Sequence, residues 1–294
     1  MKSTFSSCHP AINFLWFCTV ILLSVFLLHP VLLAISAAGS AAYAFRLGGG
    51  KTGRLILFFL VPMILLVTGG NFLINHQGVT ILGYLWDNPL TKEALVYGLV
   101  SGLMFASIFL WFSCYNAIMT SDKFVYLFGR IMPSISLIFS MIMRSVPRYK
   151  SQLTAISQAQ KCIGRSGTGS AAQKGKHGMK LLSIMTTWGL ENSIDTADSM
   201  KSRGYGLKGR TTFSIYRFDL RDRLLLLFIL ALLSAMIGGS VLGICSARYY
   251  PYVELAEVTL GACIVYGAWF LLCFLPVLLD IKEEIQWWHL QSKI

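Results

Sequence analysis

Residues 130–144 read RIMPSISLIFSMIMR. The fold turns on whether the mostly apolar run 131–143, between Arg130 and Arg144, crosses a membrane. As a helix, at 1.5 Å per residue, it reaches about 20 Å, short of a hydrocarbon core of about 30 Å. Residues 122–146 therefore read as a helix lying in or near the membrane interface, capped by Ser121 or Asp122 and kinked at Pro133.

The rest of the chain makes a membrane the right frame. Hydrophobic residues are 55% of the 294 and charged residues 13%, and mean hydropathy is +0.64. An average soluble domain carries about 25% charged residues. Six other stretches have the length and composition of spans: Ile12–Leu28, Val31–Phe45, Leu55–Ile74, Ala94–Met119, Leu224–Ile244 and Leu255–Leu279. The pair His29-Pro30 separates the first two, because proline cannot continue a helix. The second is short and rich in Gly, Ala and Ser, which suits close helix packing. No small-residue cleavage site closes the first apolar run, so it reads as a retained helix.

Charge decides the topology. Of the 25 Lys and Arg residues, 17 lie in 120–223. With Arg46, Lys51 and Arg54 placed on the cytoplasmic side, six spans keep 120–223 and both termini there too, and only Lys92 and Arg248 fall in outside loops. That split obeys the positive-inside rule, whereas a span at 131–143 would move most of the basic cluster outside. The expected fold is all-α: a polytopic membrane protein of about six transmembrane helices with a cytoplasmic amphipathic helical module. Its expected parts are 1–119 with four spans, 120–223, and 224–294 with two spans and a short tail.

The cytoplasmic region divides further. Residues 149–163 form a polar-faced helix with Leu153, Ile156, Ala159 and Ile163 at helical spacing. Residues 164–179, rich in Gly, Ser and Lys, read as a mobile loop. Residues 180–203 form a second amphipathic helix, with Leu190, Ile194 and Ala197 on one face and Glu191, Asp195 and Asp198 on the next. Gly204 stops it, and Lys201 and Arg203 in the last turn complement the negative helix end. Outside, 71–93 reads as a structured cap with a short hairpin and a turn at Asp87-Asn88-Pro89.

Several chemistries are disfavoured. The stretch GGGKTG at 48–53 lacks the leading glycine of a phosphate-binding loop, since Phe45 stands there, and follows a membrane helix rather than a strand. The seven cysteines form no CxxC pair, so no zinc site or disulfide framework is expected. The six span centres hold no Asp, Glu, Lys, Arg or His. Ion-coupled carriers, proton relays and intramembrane proteases place ionisable groups there. No catalytic, cofactor-binding or metal-binding residues are expected, and the formal charge of +12 points to membrane surface or acidic protein partners rather than nucleic acid. The segment SMKSRGYG at 199–206 keeps two readings at this point: a plain helix stop, and an arginine presented to a protein partner.

In order along the chain, HPAINFLWFCTVILLSVFLLHP at 9–30, NHQGVTIL at 75–82, MRSVPRYKSQLTAISQAQKCIG at 143–164, ENSIDTADSMKSRGYG at 191–206 and RTTFSIYRFDLRD at 210–222 resemble the CbiQ-like transmembrane T component of energy-coupling factor transporters. These are prokaryotic ABC-type importers of vitamins and metal ions. The resemblance implies a multi-pass protein of the prokaryotic plasma membrane that is not an enzyme. It implies two ABC ATPase subunits and a substrate-binding S component as partners, besides the lipid bilayer. In that family two Ala-Arg-Gly-like motifs end two crossed cytoplasmic helices, each against one ATPase. Ser202, Arg203 and Gly204 match the second motif. At the first stand Cys162, Ile163 and Gly164, with Ile163 in place of the arginine and Arg165 two residues on. The implied S-component surface is Met132, Pro133, Ile138, Met141, Ile142 and Met143, whose methionines suit a re-packable face. The rival readings are the substrate-lining permease of an ordinary ABC transporter and a membrane scaffold with a basic cytoplasmic region.

Overall fold

The computed structural model describes residues 4–85, 88–129, 133–164, 170–207, 216, 218–256 and 259–291, with the side chains of 49–59, 85, 88, 133 and 134 left aside. In chain order the elements are α1 (Thr4–Ser7), α2 (Pro10–Phe26), α3 (Pro30–Ile74), β1 (Ile81–Leu85), β2 (Asn88–Thr91), α4 (Lys92–Ile118), α5 (Ser121–Gly129), α6 (Pro133–Cys162), α7 (Ala171–Ser202), α8 (Leu220–Val241), β3 (Ala247–Arg248), β4 (Glu254–Leu255) and α9 (Leu260–Gln291). The protein is an all-α polytopic membrane protein. Among the described residues, Pro30–Gly48, α4, α8 and α9 are long and apolar enough to cross a membrane, and α2 and Leu60–Ile74 are shorter apolar helices. Helix α6, which holds residues 133–143 of the run that opened the sequence reading, is not among the four.

The chain forms two compact units, Met1–Thr120 with Tyr216–Ile294, and Ser121–Ile215. In the first, the two His-Pro pairs open helices. Pro10 and Pro30 each take the first helical position, where the missing N–H costs nothing. His9 Nδ1 accepts from the Ala11 N–H at 3.2 Å.

Two of the expected spans fall within the residue range of α3, as the apolar helices Pro30–Gly48 and Leu60–Ile74. Gly98 and Gly102 of α4 approach Thr68 and Ile64 so closely that an added Cβ would meet the opposing Cα atoms at 3.0 and 3.2 Å. This is the small-xxx-small pattern of close membrane-helix packing. Farther along α4, Trp111 Nε1 donates to Ser36 Oγ at 2.9 Å, and Cys114 Sγ lies 4.0 Å from the Ser40 carbonyl. The order 68 then 64 is antiparallel to α4, and 36 then 40 is parallel. A straight helix would separate Ser36 from Ile64 by about 42 Å, too far for both contacts. Pro30–Gly48 and Leu60–Ile74 therefore run in opposite senses along α4.

The core of this unit is aromatic. Phe5, Trp16, Phe17, Tyr43, Trp111 and Trp269 are fully buried, and Trp16 meets Trp111 edge to face at 5.3 Å. Each buried indole N–H has an acceptor: Trp16 the Leu272 carbonyl at 3.0 Å, Trp269 the Leu32 carbonyl at 2.8 Å, and Trp111 the Ser36 hydroxyl. An unpartnered N–H there would cost about 1–3 kcal/mol, so these bonds set helix register as well as stability.

The two ends of the helix bundle differ. At one end lie both hairpins. The β1–β2 hairpin pairs Ile81 with Thr91 and Leu85 with Asn88, so Asn88-Pro89 belong to the second strand and not to a turn as expected. Buried Glu93 pins this hairpin, accepting from the Thr80 hydroxyl at 2.6 Å and the Thr80 N–H at 3.3 Å. Asn75 Nδ2 donates to Tyr250 Oη at 2.8 Å. At the other, basic end Arg46 pairs with Glu284 at 2.7 Å, the Thr4 N–H donates to Asp280 at 2.8 Å, and the His9 N–H donates to Asp222 at 3.3 Å.

Some boundaries differ from the expectation. The last span begins at Leu260, since Leu255 is in β4, and α9 continues to Gln291. In the second unit, 122–146 is not one helix: α5 ends at Gly129, and Pro133 opens α6 instead of kinking it. Helix α6 then runs through Pro147 to Cys162, absorbing the separate helix expected at 149–163. Of the loop expected at 164–179, residues from Ala171 onward are helical, so α7 is 32 residues long. Glycine and lysine there lowered helix propensity without abolishing it.

Candidate functional site

Helices α5, α6 and α7 form the second unit. Helix α5 packs on the start of α6 through Phe124 and Phe139, 6.1 Å apart, and the Ser136 hydroxyl, which donates to the Val125 carbonyl at 3.1 Å. Helices α6 and α7 then meet at one aromatic contact. The rings of Tyr149 and Trp188 stand edge to face at 5.2 Å, and the Arg148 guanidinium lies 5.6 Å over the Trp188 ring. A Cβ on Gly189 would stand 2.8 Å from Tyr149 Oη, so glycine is what lets the two helices come this close.

The site's geometry follows from where that contact falls. Ile163 lies fourteen residues beyond Tyr149, and Arg203 fourteen residues beyond Gly189. At 1.5 Å per residue both arms extend about 21 Å past the contact. The module is a pair of helices joined near their middles with two free arms of equal length.

Both arms end in the same way. After α7, Gly204 takes a positive φ of 80°. Its N–H bonds the Lys201 carbonyl at 2.9 Å, and the Tyr205 N–H bonds the Met200 carbonyl at 3.0 Å. These two bonds define a Schellman motif with Arg203 as the capping residue. After α6, Gly164 has φ of 76°, and its N–H bonds the Lys161 carbonyl at 3.0 Å. Ile163 is the capping residue there and is 68% exposed. Ile163 and Arg203 thus hold equivalent positions on two matched helix ends, one an exposed hydrophobe and the other an exposed cation. Ser202 donates back to the Ser199 carbonyl at 2.9 Å, and Cys162 is an exposed free thiol. Arg165 lies outside the described residues.

Along the arms, apolar side chains face outward. On α6, Ile135, Ile138, Ile142 and Val146 are exposed at helical spacing, with exposed Met143 and half-buried Met141 beside them. Met132 lies outside the described residues, and Pro133 is described only as the first residue of α6. On α7, Met179, Leu182, Leu190 and Ile194 are exposed. The neighbouring acids Glu191 and Asp195 have no ion pair among the described residues, and Asp198 meets Lys201 at 4.0 Å on an exposed face, where such a pair contributes little. No residue of α7 is buried. Apolar stripes this open on long helices mark surfaces for partners or lipid.

The expectation named the two arm ends and missed the contact between the arms. Its sequence signal is Trp188-Gly189 in mid-helix. A glycine there costs about 1 kcal/mol of helix propensity unless a close approach uses it.

Residues 1–215 match the description of CbiQ, cobalt transport protein. The chain belongs to the CbiQ family. The CbiQ match takes in α6, α7 and both arm ends, and stops before α8 and α9. No curated protein matches the chain. As a CbiQ protein, the chain is a membrane component of a transport system.

Proposed function

We propose that this chain is the coupling subunit of an energy-coupling factor importer, a T component that makes no covalent change in its substrate. The observation that carries the reading is the pair of matched arms, equal in length, each capped by a positive-φ glycine and exposed at the residue before it. In this reading each tip sits against one of two ABC ATPases. Ser202, Arg203 and Gly204 form one contact, and Cys162, Ile163, Gly164 and Arg165 the other. ATP-driven approach of the ATPases moves the tips. The Tyr149–Trp188–Gly189 contact makes the two arms answer together. The apolar stripe on α6, with Ile138, Met141, Ile142 and Met143, meets a substrate-binding S component, and Met132 and Pro133 belong to the same proposed surface. That component binds the vitamin or metal ion and sets which one is carried, cobalt being the choice the family description favours. Residues 120–223 and both termini lie in the cytoplasm, with the hairpin end outside and membrane parts at 1–119 and 224–294.

The two tips then work by different chemistry. Arg203 offers a guanidinium that pairs bidentately with carboxylates, and Ile163 offers apolar area. The test is co-purification of the chain with its ATPases, with and without Arg203→Glu, together with substrate uptake. A charge reversal at an interface arginine costs about 2 kcal/mol or more, so ATPase retention and uptake should both collapse. Full retention and normal uptake in the variant would sink the arginine contact.

A further inference from the structure

At the basic end of the membrane unit, a groove of about 730 Å3 opens between α8 and α9. Its wall is made by Leu224, Phe228 and Leu279, and its rim carries Arg221, Lys282 and Glu283. The volume falls within the roughly 300–1,000 Å3 of pockets that hold small organic ligands.

The charges on the rim are set by what surrounds them. Asp222, next to Arg221, accepts from the His9 and Asp219 N–H groups, and Asp280, two residues before Lys282, accepts from the Thr4 N–H; neither is within ion-pair distance of either cation. Among the described residues the ion pairs are Arg46–Glu284 and Lys201–Asp198, so neither Arg221 nor Lys282 is paired. The described side-chain contact of Arg221 is with Cys8 Sγ at 3.8 Å, a weak acceptor. Among the residues that line the groove, Arg221 and Lys282 are cations and Glu283 is the one acid, so the lining itself carries a net formal charge of +1.

Depth is set by the helices themselves. The apolar run of α8 begins at Leu224, one turn past Arg221, and that of α9 ends at Leu279, just before Asp280 and Lys282. The cations thus stand where hydrocarbon gives way to headgroups, with the apolar wall below them. Trp287 and Trp288 follow on α9, both exposed, and tryptophan favours that same boundary. A free phosphate would use the rim alone and leave the apolar slot empty, whereas an amphiphile with an anionic head fills both.

We propose that this groove binds an anionic phospholipid, with the phosphate between Arg221 and Lys282 and an acyl chain along Leu224, Phe228 and Leu279. The site needs only the membrane placement of the chain and is independent of the coupling role. Its consequence is mechanical. Helix α8 is the least buried of the four long apolar helices, and a lipid bridging Arg221 to Lys282 ties its basic end to α9.

The full chain in a non-ionic detergent is titrated with phosphatidylglycerol, bound lipid being counted by native mass spectrometry and stability followed by thermal melting. Phosphatidylcholine and glycerol 3-phosphate serve as separate arms. Phosphatidylglycerol should bind and raise the melting temperature. The double variant Arg221→Gln, Lys282→Gln should bind about 30-fold more weakly, as expected for two basic residues at an anionic surface. Arg223→Gln, an exposed cation of the same turn outside the groove, should behave as wild type. Leu224→Trp fills the exposed slot without touching the core and should also lose binding, which keeps the test open if the double variant unfolds. Equal phosphatidylglycerol binding by the groove variants and wild type would overturn the proposal, as would equal binding of phosphatidylcholine. Displacement by glycerol 3-phosphate would overturn the lipid source and leave a soluble phosphate ester as the ligand.

Discussion

At the scale of single residues, the arm ends hold the most specific information. Gly204 has φ of 80°, and a Cβ there would stand 3.0 Å from Leu207 Cδ1. Gly204→Ala should therefore cost about 1–2 kcal/mol in the local cap. The expected readout is faster hydrogen exchange at the Gly204 and Tyr205 amides, with the middle of α7 unchanged. His9 makes a second residue-scale prediction. Burial lowers its imidazole below the ordinary 6.5, partly opposed by Asp222, and its Nδ1 accepts the Ala11 N–H only when unprotonated. The unfolded chain takes up the proton first as pH falls. The stability His9 contributes is thus present above 6.5 and lost as pH drops from there toward the lowered value. Melting temperatures in detergent should fall across that window. His9→Asn, which caps without titrating, should flatten the fall.

At the scale of elements, the question is how two long helices are joined. Helix α7 has no buried residue, so the Tyr149–Trp188 contact and the Arg148 guanidinium over the indole carry much of its attachment to α6. Gly189→Leu should force Tyr149 aside and destabilise the unit by about 1–3 kcal/mol. Arg203 lies fourteen residues away, so ATPases should still co-purify while uptake falls. Loss of both together would mean that the contact shapes the tip rather than joining the arms. The elements also show what patterning conveys. The 3.6-residue spacing of Leu190, Ile194 and Ala197, and the stop at Gly204, were readable because helix periodicity and the glycine cap are local. The continuity of α6 through Pro147, and the start of α7 at Ala171, were not. The sequence suggests one helix ending at 146, another starting at 149 and a loop in the Gly- and Lys-rich stretch, and such local preference is a weak prior that the surrounding helix overrides.

At the scale of the whole molecule, orientation follows from charge. Cys162 is exposed at the tip of α6, Cys8, Cys114, Cys245 and Cys273 are buried, Cys18 is half-buried, and Cys263, exposed in the first turn of α9, is replaced by serine for the labelling test. A membrane-impermeant maleimide should therefore label Cys162 in inverted vesicles and not in intact cells. An added Arg248→Cys should show the reverse. Labelling of Cys162 from outside would reverse the proposed topology and place the arms where no cytoplasmic ATPase reaches them.

Composition and charge determined, without any coordinates, that this chain lives in a membrane. They also determined where its apolar helices lie, that 131–143 is not one of the long apolar helices, and that two amphipathic arms end at Ile163-Gly164 and Arg203-Gly204. Each of these is a property of a short segment against its solvent, fixed by length, apolar spacing and a cap. Tertiary structure alone decided which segments touch. Both halves of α3 lie on α4, the later one against Gly98 and Gly102 and the earlier one through Trp111. Asp222 and Asp280 accept from backbone donors more than two hundred residues away. The arms have equal length because Tyr149 meets Gly189. Contacts between distant parts of a chain depend on packing in three dimensions, and spacing along one strand of sequence does not encode them.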